Sequence, residues 1–333
     1  MRASVILPAY NEAEFIEAAL ESLSRQTESE LELIVVDDGS TDRTSALVSR
    51  SSRRLKLIRT ERRGLVAALN EGIAASTCQY IARMDADDLA HPDRLRLQAD
   101  YLDGHPDVGL VASQAEYLGD RAKNLGIALW VDWTNSLLTT DELALNRFVE
   151  SPLIHPTVMF RRELVESFGG YREGPFPEDY ELWLRWLEAG VSMAKLPHKL
   201  LSWRERDRRL TRTDPRYSPE AFYACKAPYL ARWLERNNPH HPRVVVWGAG
   251  RASRLRLRPL IDAGVEVESF VDIDPKKIGN SVSGVQVLSP NELPAPNDCF
   301  VLQWVGKRGA RELVREALQT RGFRQGVHYL LCA

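Results

Sequence analysis

The sequence predicts an α/β protein built from two domains, and three observations support this prediction. The chain has 333 residues, which is longer than one hydrophobic core ordinarily serves. Short apolar runs rich in β-branched residues alternate with amphipathic segments near the start, which is typical of a parallel sheet crossed by helices. A cluster of helix breakers, Asn237 to Pro242, is followed by a new apolar run. We therefore expect a second α/β domain after this cluster.

The elements follow from the periodicity of the apolar residues. In the first domain the predicted strands are Val5 to Pro8, Leu31 to Asp37, Leu55 to Arg59 and Gln79 to Met84. The predicted helices are Glu12 to Arg25, Leu65 to Ala75, the Trp-rich Asp179 to Ala189, and Pro219 to Arg236. The second domain starts with a strand at Val244 to Trp247. The expected domains are 1–215 and 242–333, with a helical linker at 216–241.

The composition excludes several classes of protein. Apolar residues make up 44% and charged residues 27%, as in ordinary soluble domains. The formal net charge of -2 offers no general attraction to nucleic acid. The four cysteines are scattered singly, which favours a reducing compartment over a disulfide framework. Charged residues interrupt every long apolar stretch, so we expect a cytoplasmic protein without a membrane span. Peripheral membrane association stays open, and the oligomeric state is not indicated.

Polar residues follow three of the predicted strands. They are Asn11 and Glu12, then Asp37 and Asp38, then the run from Asp85 to Asp88. Because ligands bind beyond the carboxyl ends of strands in open α/β sheets, we expect these residues to converge on one crevice.

The run Asp85-Ala86-Asp87 places two carboxylates two residues apart after a strand. Carboxylate oxygens are hard ligands that suit Mg²⁺ or Mn²⁺, and such a metal assists a diphosphate leaving group. An acidic triplet alone is more often a solvated turn. Asp88 and Pro92 also fit the cap of a helix that starts near His91.

Asp38 permits two interpretations of equal weight. It is either part of a helix N-cap or a fixed acceptor for a nucleobase imide or a ribose hydroxyl. After the next strand, the cation pair Arg62-Arg63 precedes Gly64 and suits a diphosphate, although exposed arginine pairs are common. Arg63 is the residue we select for the donor.

Several segments together resemble family 2 glycosyltransferases. The similar segments, in the family's order, are Ser4 to Glu12, Val36 to Asp42, Gly64 to Gly72 with Asn70, Tyr80 to Asp88, His155 to Phe160 and Pro177 to Arg185. The resemblance covers about residues 1 to 205, and several motifs in order are more specific than any one alone. Cys78-Gln79 departs from the family, where Gly-Glu is frequent at this place.

The resemblance implies the GT-A fold, a nucleotide-diphospho-sugar donor that is most commonly uridine-linked, a divalent metal, and inversion at the anomeric carbon. It matches the nucleoside-binding positions to Pro8, Tyr10, Glu12 and Asp38. It matches Asp85 and Asp87 to the metal and diphosphate motif, with Asp87 as the direct ligand, and Asp179 to the catalytic base.

Asp179 starts a predicted helix, where the helix dipole favours the ionised form that a base requires. Without the resemblance, Glu178-Asp179 fits a simple pair of N-terminal helix charges. His155 is a candidate for contact with the donor, metal or acceptor, although a lone histidine is more often packed. Trp183 and Trp186 could stack on a sugar ring, but their helical spacing favours core positions. Trp203-Arg204 ends a strand near the expected cleft and is a candidate lid.

The expected partners are a nucleotide-sugar donor and a hydroxyl acceptor on a glycan, a lipid-linked saccharide or a small molecule. Two alternatives remain. A sugar nucleotidyltransferase requires a Gly-rich, Arg-containing loop near its start, whereas this chain has Pro8 to Glu12 there. A non-catalytic nucleotide-sugar-binding or regulatory protein is disfavoured by the joint presence of Asp85, Asp87 and Asp179.

The C-terminal domain is expected to be Rossmann-like. A strand leads into Gly248 and Gly250 before a helix, and Asp272 follows the next strand at the distance expected for ribose recognition. Ser253 stands where a third Gly or Ala is usual. This layout resembles domains found beside sugar C-methyltransferases and sugar acetyltransferases, which implies a second ligand site. A packing or oligomerisation role is equally compatible. We exclude a dehydrogenase, because too few residues remain for a separate catalytic domain.

Overall fold

The computed structural model describes residues 1–51, 55–207 and 209–333. The chain forms two compact units. The first comprises Met1–Leu143, Pro152–Gly174 and Arg185–Thr213, and the second comprises Ala144–Ser151, Pro175–Leu184 and Asp214–Ala333. The last segment of the first unit ends at Thr213, two residues before the expected end of the first domain at 215. The segment predicted as a linker and two short earlier segments belong to the second unit.

The first unit contains eight described strands. They are β1 (Ala3–Ala9), β2 (Leu31–Asp38), β3 (Lys56–Thr60), β4 (Tyr80–Arg83), β5 (Leu89–Ala90), β6 (Val108–Leu118), β7 (Met159–Arg161) and β8 (Ser192–Arg204). Its helices are α1 (Ile16–Ser24), α2 (Thr44–Ser49), α3 (Leu65–Ala75), α4 (Arg94–Gly104), α5 (Leu125–Ser136), α7 (Glu163–Phe168) and α9 (Leu210–Thr213). Two helices, α6 (Thr140–Asn146) and α8 (Glu178–Glu188), begin in one unit and end in the other.

These strands form one mixed sheet in the order β3-β2-β1-β4-β7-β6-β8-β5. Strand β1 runs parallel to both β2 and β4, with Ala3 opposite Leu31 and Tyr80. All seven residues of β1 are buried, as expected for a central strand that helices cover on both faces. The four strands predicted for the first domain are therefore present, and each observed boundary lies within two residues of the predicted one.

The second unit contains β9 (Arg243–Trp247), β10 (Glu266–Val271), β11 (Ser281–Val282), β12 (Val285–Leu288), β13 (Val301–Gln303) and β14 (Tyr329–Leu331). Its helices include α10 (Pro219–Asn237), α11 (Arg251–Asp262) and α12 (Ala310–Thr320). The strand order is β11-β12-β10-β9-β13-β14, and every pair is parallel except the hairpin of β11 and β12.

Helix α10 is anchored in this second unit. Ser218 caps its start by accepting a hydrogen bond from the backbone N–H of Ala221. Its side chains Tyr223, Leu230 and Leu234 share a hydrophobic cluster with Val246 of β9. Burial of this apolar face explains why α10 belongs to the second unit.

Within the described ranges, no helix combines the length and the apolar character needed to cross a membrane. All four cysteines are free and buried.

Candidate functional site

Three neighbouring parallel strands bring polar residues to one edge of the first sheet. Strands β2, β1 and β4 are adjacent and share one direction, so their carboxyl ends lie side by side. Asn11 follows β1 at a positive φ of 54°, and its Oδ1 accepts a hydrogen bond from the backbone N–H of Thr41 at 2.8 Å. The loops after β1 and β2 are therefore joined directly. The polar residues that follow β1, β2 and β4 therefore lie at the same edge of the sheet.

Three aspartates after β4 form a compact acidic cluster, which we define as Asp85, Asp87 and Asp88. Each offers a carboxylate oxygen, and these oxygens lie within 4.8 Å of one another. Asp87 and Asp88 are buried and Asp85 is about one-fifth exposed. Oδ2 of Asp88 is buried and accepts no hydrogen bond from the residues that the structure describes. Hard oxygen donors at this spacing fit Mg²⁺ or Mn²⁺.

The pKa values within the acidic cluster diverge. Burial, followed by the charge of Asp85, raises the pKa of Asp87 and raises that of Asp88 further. Burial also acts to raise the pKa of Asp85, but the charges of Arg83 and Arg209 lower it overall. Nη2 of the buried Arg83 lies 2.5 Å from Oδ1 of Asp85. Carboxylates this close repel one another, so the cluster requires positive charge to stay ionised.

Besides Arg83, two arginines that follow β8 supply this positive charge. Nε of Arg206 lies 2.7 Å from Oδ2 of Asp87, and its Nη2 donates to Oε1 of Glu12 at 2.7 Å. Nη2 of Arg209 donates to Oδ2 of Asp85 at 3.0 Å. Glu12 and Asp87 are thereby bridged, although they follow different strands. We did not select Arg206 or Arg209 from the sequence, where the only signal was the high density of arginine between 204 and 216.

Arg204, a predicted lid residue, also lies at the acidic cluster. Its backbone N–H donates to Oδ1 of Asp88 at 2.8 Å, and its Nε donates to the carbonyl oxygen of Asp87 at 2.9 Å. Asp88 therefore anchors the end of β8. The alternative interpretation of Asp88 as a helix cap does not hold, because α4 begins at Arg94 and Asp93 is its N-cap residue.

Asp38 uses both carboxylate oxygens to fix a turn. Its Oδ1 accepts from the backbone N–H of Arg63 and its Oδ2 from that of Gly64, both at 2.8 Å. This turn starts α3, so Asp38 serves a helix farther along the chain than the one expected. The helix that follows directly, α2, begins beside Asp42, whose Oδ1 accepts from the backbone N–H of Thr44 at 2.9 Å. A carboxylate has further lone pairs, so Asp38 retains the capacity to accept from a ligand.

The two arginines at this turn have different surroundings. The guanidinium of Arg63 pairs with Glu71 at 3.0 Å on the surface. The guanidinium of Arg62 instead lies over the ring of Tyr10, with its central carbon 3.7 Å from the ring centroid. Arg62 is therefore the arginine that accompanies Tyr10, which follows β1. Pro8, also predicted to touch the nucleoside, is buried within β1.

His155 lies in a 3₁₀ turn, His155–Thr157, and is buried. Its Nε2 is 2.7 Å from the hydroxyl oxygen of Tyr171. Burial, together with the charge of Arg83, lowers the pKa of His155 well below 6.5. The side chain of Asn70 in turn holds the backbone of Tyr171 through hydrogen bonds of 2.9 and 3.1 Å. His155 is thus a packed, hydrogen-bonded histidine.

Trp203 packs in the core of the first unit. It is 5% exposed and lies 6.0 Å from Trp130 and 6.1 Å from Tyr117 between ring centroids. The guanidinium carbon of Arg209 lies 4.0 Å above the Trp203 ring. Because Trp203 is buried within β8, it does not fit the predicted role of a lid. Its ring instead packs against the guanidinium group of Arg209.

Asp179 lies in the first turn of α8 and is half-buried. Its Oδ1 accepts a hydrogen bond from the backbone N–H of Tyr180 at 2.7 Å. The neighbouring Glu178 is buried and accepts from the hydroxyl of Tyr217 at 2.6 Å. Trp183 and Trp186 on the same helix are fully buried, so both are core residues as predicted.

In the second unit, the glycine turn lies between β9 and α11. A Cβ on Gly248, where φ is +131°, would lie 2.9 Å from Cγ2 of Val305, so the turn requires glycine there. Gly250 precedes α11. Asp272, which follows β10, accepts from the backbone N–H of Ala249 at 3.1 Å and from Nζ of Lys277 at 3.0 Å. Asp272 therefore stabilises the turn itself.

Comparison with known proteins gives concordant results. The sequence profile named Glycosyl transferase family 2 matches residues 4–169. The amylovoran biosynthesis glycosyltransferase AmsE of Erwinia amylovora is 32% identical to this chain over 211 residues, and the aligned region covers 60% of this chain and 75% of AmsE. The putative glycosyltransferase EpsE of Bacillus subtilis is 30% identical over 237 residues, covering 68% and 82% respectively.

Solved structures agree on the fold. The crystal structure of S. aureus TarS in complex with UDP-GlcNAc has a TM-score of 0.56 and 20% identity, covering 79% of this chain and 71% of that chain. The fold is therefore the GT-A fold expected from the sequence, with a second sheet domain toward the C-terminus. Together with the sequence relatives, these matches show that the chain is a glycosyltransferase and belongs to glycosyltransferase family 2.

Proposed function

We propose that the protein transfers a sugar, with inversion, from a uridine-diphospho-sugar to a hydroxyl acceptor in the synthesis of a cell-envelope saccharide. The observation that carries this proposal is the acidic cluster at the carboxyl end of β4, where Arg206 bridges Asp87 to Glu12. An edge that holds both metal-type carboxylates and arginines suits a metal-bound diphosphate. AmsE is named for amylovoran biosynthesis, which supports a saccharide product.

Asp85 and Asp87, with Asp88 beside them, are the residues that would hold Mn²⁺ or Mg²⁺. The set fits this metal because three hard carboxylate donors are grouped and one buried oxygen of Asp88 has no protein donor within the described ranges. Bound there, the metal would offset the negative charge of the departing diphosphate as a Lewis acid.

The arginines supply the remaining positive charge. Arg206 and Arg209 are ion-paired with carboxylates of the edge. With a metal held by those carboxylates, both guanidinium groups would be available to bind phosphate oxygens, for which their planar donor geometry is suited. We assign the nucleobase to the side of Tyr10, where an aromatic ring and Arg62 provide stacking surfaces. A uridine nucleotide is chosen because TarS, of similar fold, was crystallised with UDP-GlcNAc.

Asp179 is proposed as the base. The acceptor hydroxyl oxygen attacks the anomeric carbon while the bond from that carbon to the diphosphate oxygen breaks on the opposite face. The bonding electron pair leaves with the nucleoside diphosphate, and the hydroxyl proton passes to the carboxylate of Asp179. The start of a helix favours the ionised carboxylate that this step requires.

We infer that the second unit has a Rossmann-like fold. The first strand, β9, is central and the chain switches from its β10 side to its β13 side, as in doubly wound sheets. A cytoplasmic location is proposed because all four cysteines are free and buried.

The proposal is tested by a donor screen followed by an Asp179→Asn comparison. UDP-GlcNAc, UDP-glucose, UDP-galactose and GDP-mannose are each added with Mn²⁺ or Mg²⁺, and both thermal stabilisation and release of nucleoside diphosphate are measured. We expect one donor to stabilise the protein in a metal-dependent way. Absence of any response to all donors with both metals would overturn the proposal.

The Asp179→Asn variant should keep donor stabilisation and lose transfer by at least about 100-fold. The matched control is Asp298→Asn, which alters an exposed aspartate of the second unit. Unchanged transfer in Asp179→Asn would reject the base assignment. Donor binding without turnover by the unaltered protein would instead favour a nucleotide-sugar-binding regulatory protein.

A further inference from the structure

The first turn of α8 is held by two tyrosines of the second unit, Tyr217 and Tyr229, which we name the tyrosine clamp. The hydroxyl of Tyr217 donates to Oε2 of Glu178 at 2.6 Å, and the hydroxyl of Tyr229 donates to Oε1 of Glu181 at 2.8 Å. Both glutamates are buried, at 2% and 4% exposure. The clamp comes from the 3₁₀ turn Pro215–Tyr217 and from α10, which are distant in sequence from α8.

The spacing of the two glutamates fixes the rotation of the helix. Glu178 and Glu181 are three residues apart and therefore lie on one face of α8. Two hydrogen bonds to that face prevent the first turn from rotating about the helix axis. Asp179, which lies about 100° around the axis from Glu178, is thereby directed to a fixed side.

A third contact anchors the same turn. Tyr180 is fully buried, and its hydroxyl donates to the carbonyl oxygen of Arg147 at 2.7 Å. Its ring packs against Phe222 of α10, with 5.3 Å between the centroids. Asp179 is therefore the half-buried residue between two anchored neighbours, and its own Oδ1 accepts from the backbone N–H of Tyr180.

The charge on these groups suits stable clamping. Burial, followed by the charges of Glu178 and Asp179, raises the pKa of Tyr217, so its phenol remains a hydrogen-bond donor. A charge-assisted hydrogen bond to a buried carboxylate is stronger than one between neutral groups. Replacement of the phenol by phenyl would leave a buried carboxylate short of a donor and free the turn to shift.

We propose that the tyrosine clamp positions Asp179 for proton transfer. This inference rests on the proposed role of Asp179 as the base. Tyr217 and Tyr229 are positioning residues, because they act on Asp179 through Glu178 and Glu181. Proton transfer depends steeply on the placement of the base, and a displacement of about 1 Å costs up to about 100-fold in rate.

The test compares Tyr217→Phe, Tyr229→Phe and the double variant in the full-length protein. Turnover is measured as release of nucleoside diphosphate from the donor found in the screen, with water as the acceptor, so that no acceptor has to be identified. We expect kcat of the double variant to fall at least about tenfold, while KM for the donor changes by less than about twofold. The control is Tyr329→Phe, which removes a buried phenol oxygen from β14 of the same unit.

The outcomes separate this inference from the proposed function. A double variant with kcat within about twofold of the unaltered protein would overturn the inference. A lower melting temperature with unchanged kcat below the melting range would also overturn it, since that is the result of a purely structural role. Retained turnover in Asp179→Asn rejects the base assignment, and the inference with it. Loss of turnover in Asp179→Asn together with a normal tyrosine double variant rejects the inference alone.

Discussion

Nε of Arg206 lies 2.7 Å from Oδ2 of Asp87, so the carboxylate expected to bind a metal is paired with a guanidinium group of the chain itself. The same arginine donates from Nη2 to Glu12. A metal bound at Asp87 would therefore compete with Arg206, whereas a bound diphosphate would offer Arg206 a new partner. This relationship gives opposite expectations for metal binding and for donor binding.

We predict that Arg206→Met tightens metal binding without donor and weakens donor binding with metal. Removal of the guanidinium frees Asp87 from a competing cation, so the Mn²⁺ dissociation constant should fall about threefold to tenfold. Loss of one charge-assisted contact to phosphate should raise KM for the donor about tenfold. Titration calorimetry with Mn²⁺ and steady-state kinetics measure the two effects.

The matched control is Arg50→Met, which removes an exposed arginine of the same unit. Weaker Mn²⁺ binding in Arg206→Met would contradict the competition between Arg206 and the metal.

A pair of glycine substitutions tests the packing of α3 against the sheet. A Cβ on Gly72 would lie 2.4 Å from Cγ2 of Ile6 and 3.3 Å from Cγ2 of Val36. We predict that Gly72→Ala destabilises the protein by about 1–3 kcal/mol, because overpacking outweighs the gain in helix propensity. Gly126→Ala in α5 has open space around it and should stabilise by up to about 1 kcal/mol. Urea unfolding measures both, and equal effects of the two substitutions would refute this account.

Asp38 is predicted to contribute to stability as well as to the donor site. Asp38→Ala would leave the backbone N–H groups of Arg63 and Gly64 without their acceptor, at a cost of about 2–4 kcal/mol. Asp38→Asn keeps one acceptor oxygen, so its free energy of unfolding should fall by about half as much as that of Asp38→Ala. Urea unfolding and donor titration of both variants are compared with Asp107→Ala, an exposed aspartate. A fully stable Asp38→Ala protein would show that the turn does not depend on this carboxylate.

The buried His155 is expected to make the free energy of unfolding depend on pH. Burial, together with the charge of Arg83, lowers the pKa of His155 well below 6.5 in the folded protein. Below its unfolded pKa, only the unfolded chain binds this proton, so the free energy of unfolding falls as the pH falls, by about 1.4 kcal/mol per pH unit, until the folded pKa is reached. The stability contributed by the neutral imidazole is fully present above pH 6.5.

We therefore expect the melting temperature to decline more steeply between pH 6.5 and pH 5 than it does in His155→Gln. His198→Gln, which replaces an exposed histidine of β8, should keep the slope of the unaltered protein. Identical slopes for His155→Gln and the unaltered protein would show that His155 is not responsible.

Local sequence determined the strands and the acidic motif. Apolar runs bounded by polar residues specified β1, β2 and β4, and the predicted helix Leu65 to Ala75 is α3 to the residue. Such features depend on neighbours in the chain, through side-chain periodicity and strand length. The placement of Glu12 and the acidic cluster on one edge followed from the rule for parallel sheets.

Only the tertiary structure decided which groups pair at that edge. Arg206 and Arg209 follow β8, more than one hundred residues after the carboxylates they contact. Asp38 likewise fixes the turn before α3, and the first turn of α8 is held by Tyr217, which precedes α10, and by Tyr229, which lies within it. These partners meet because the sheet order and the helix packing bring distant segments of the chain together. No local sequence pattern specifies which of the many arginines or tyrosines will contact a given carboxylate. The sequence by itself therefore determined the family, the first sheet and the acidic residues, whereas long-range packing decided how their charges are balanced and how Asp179 is held.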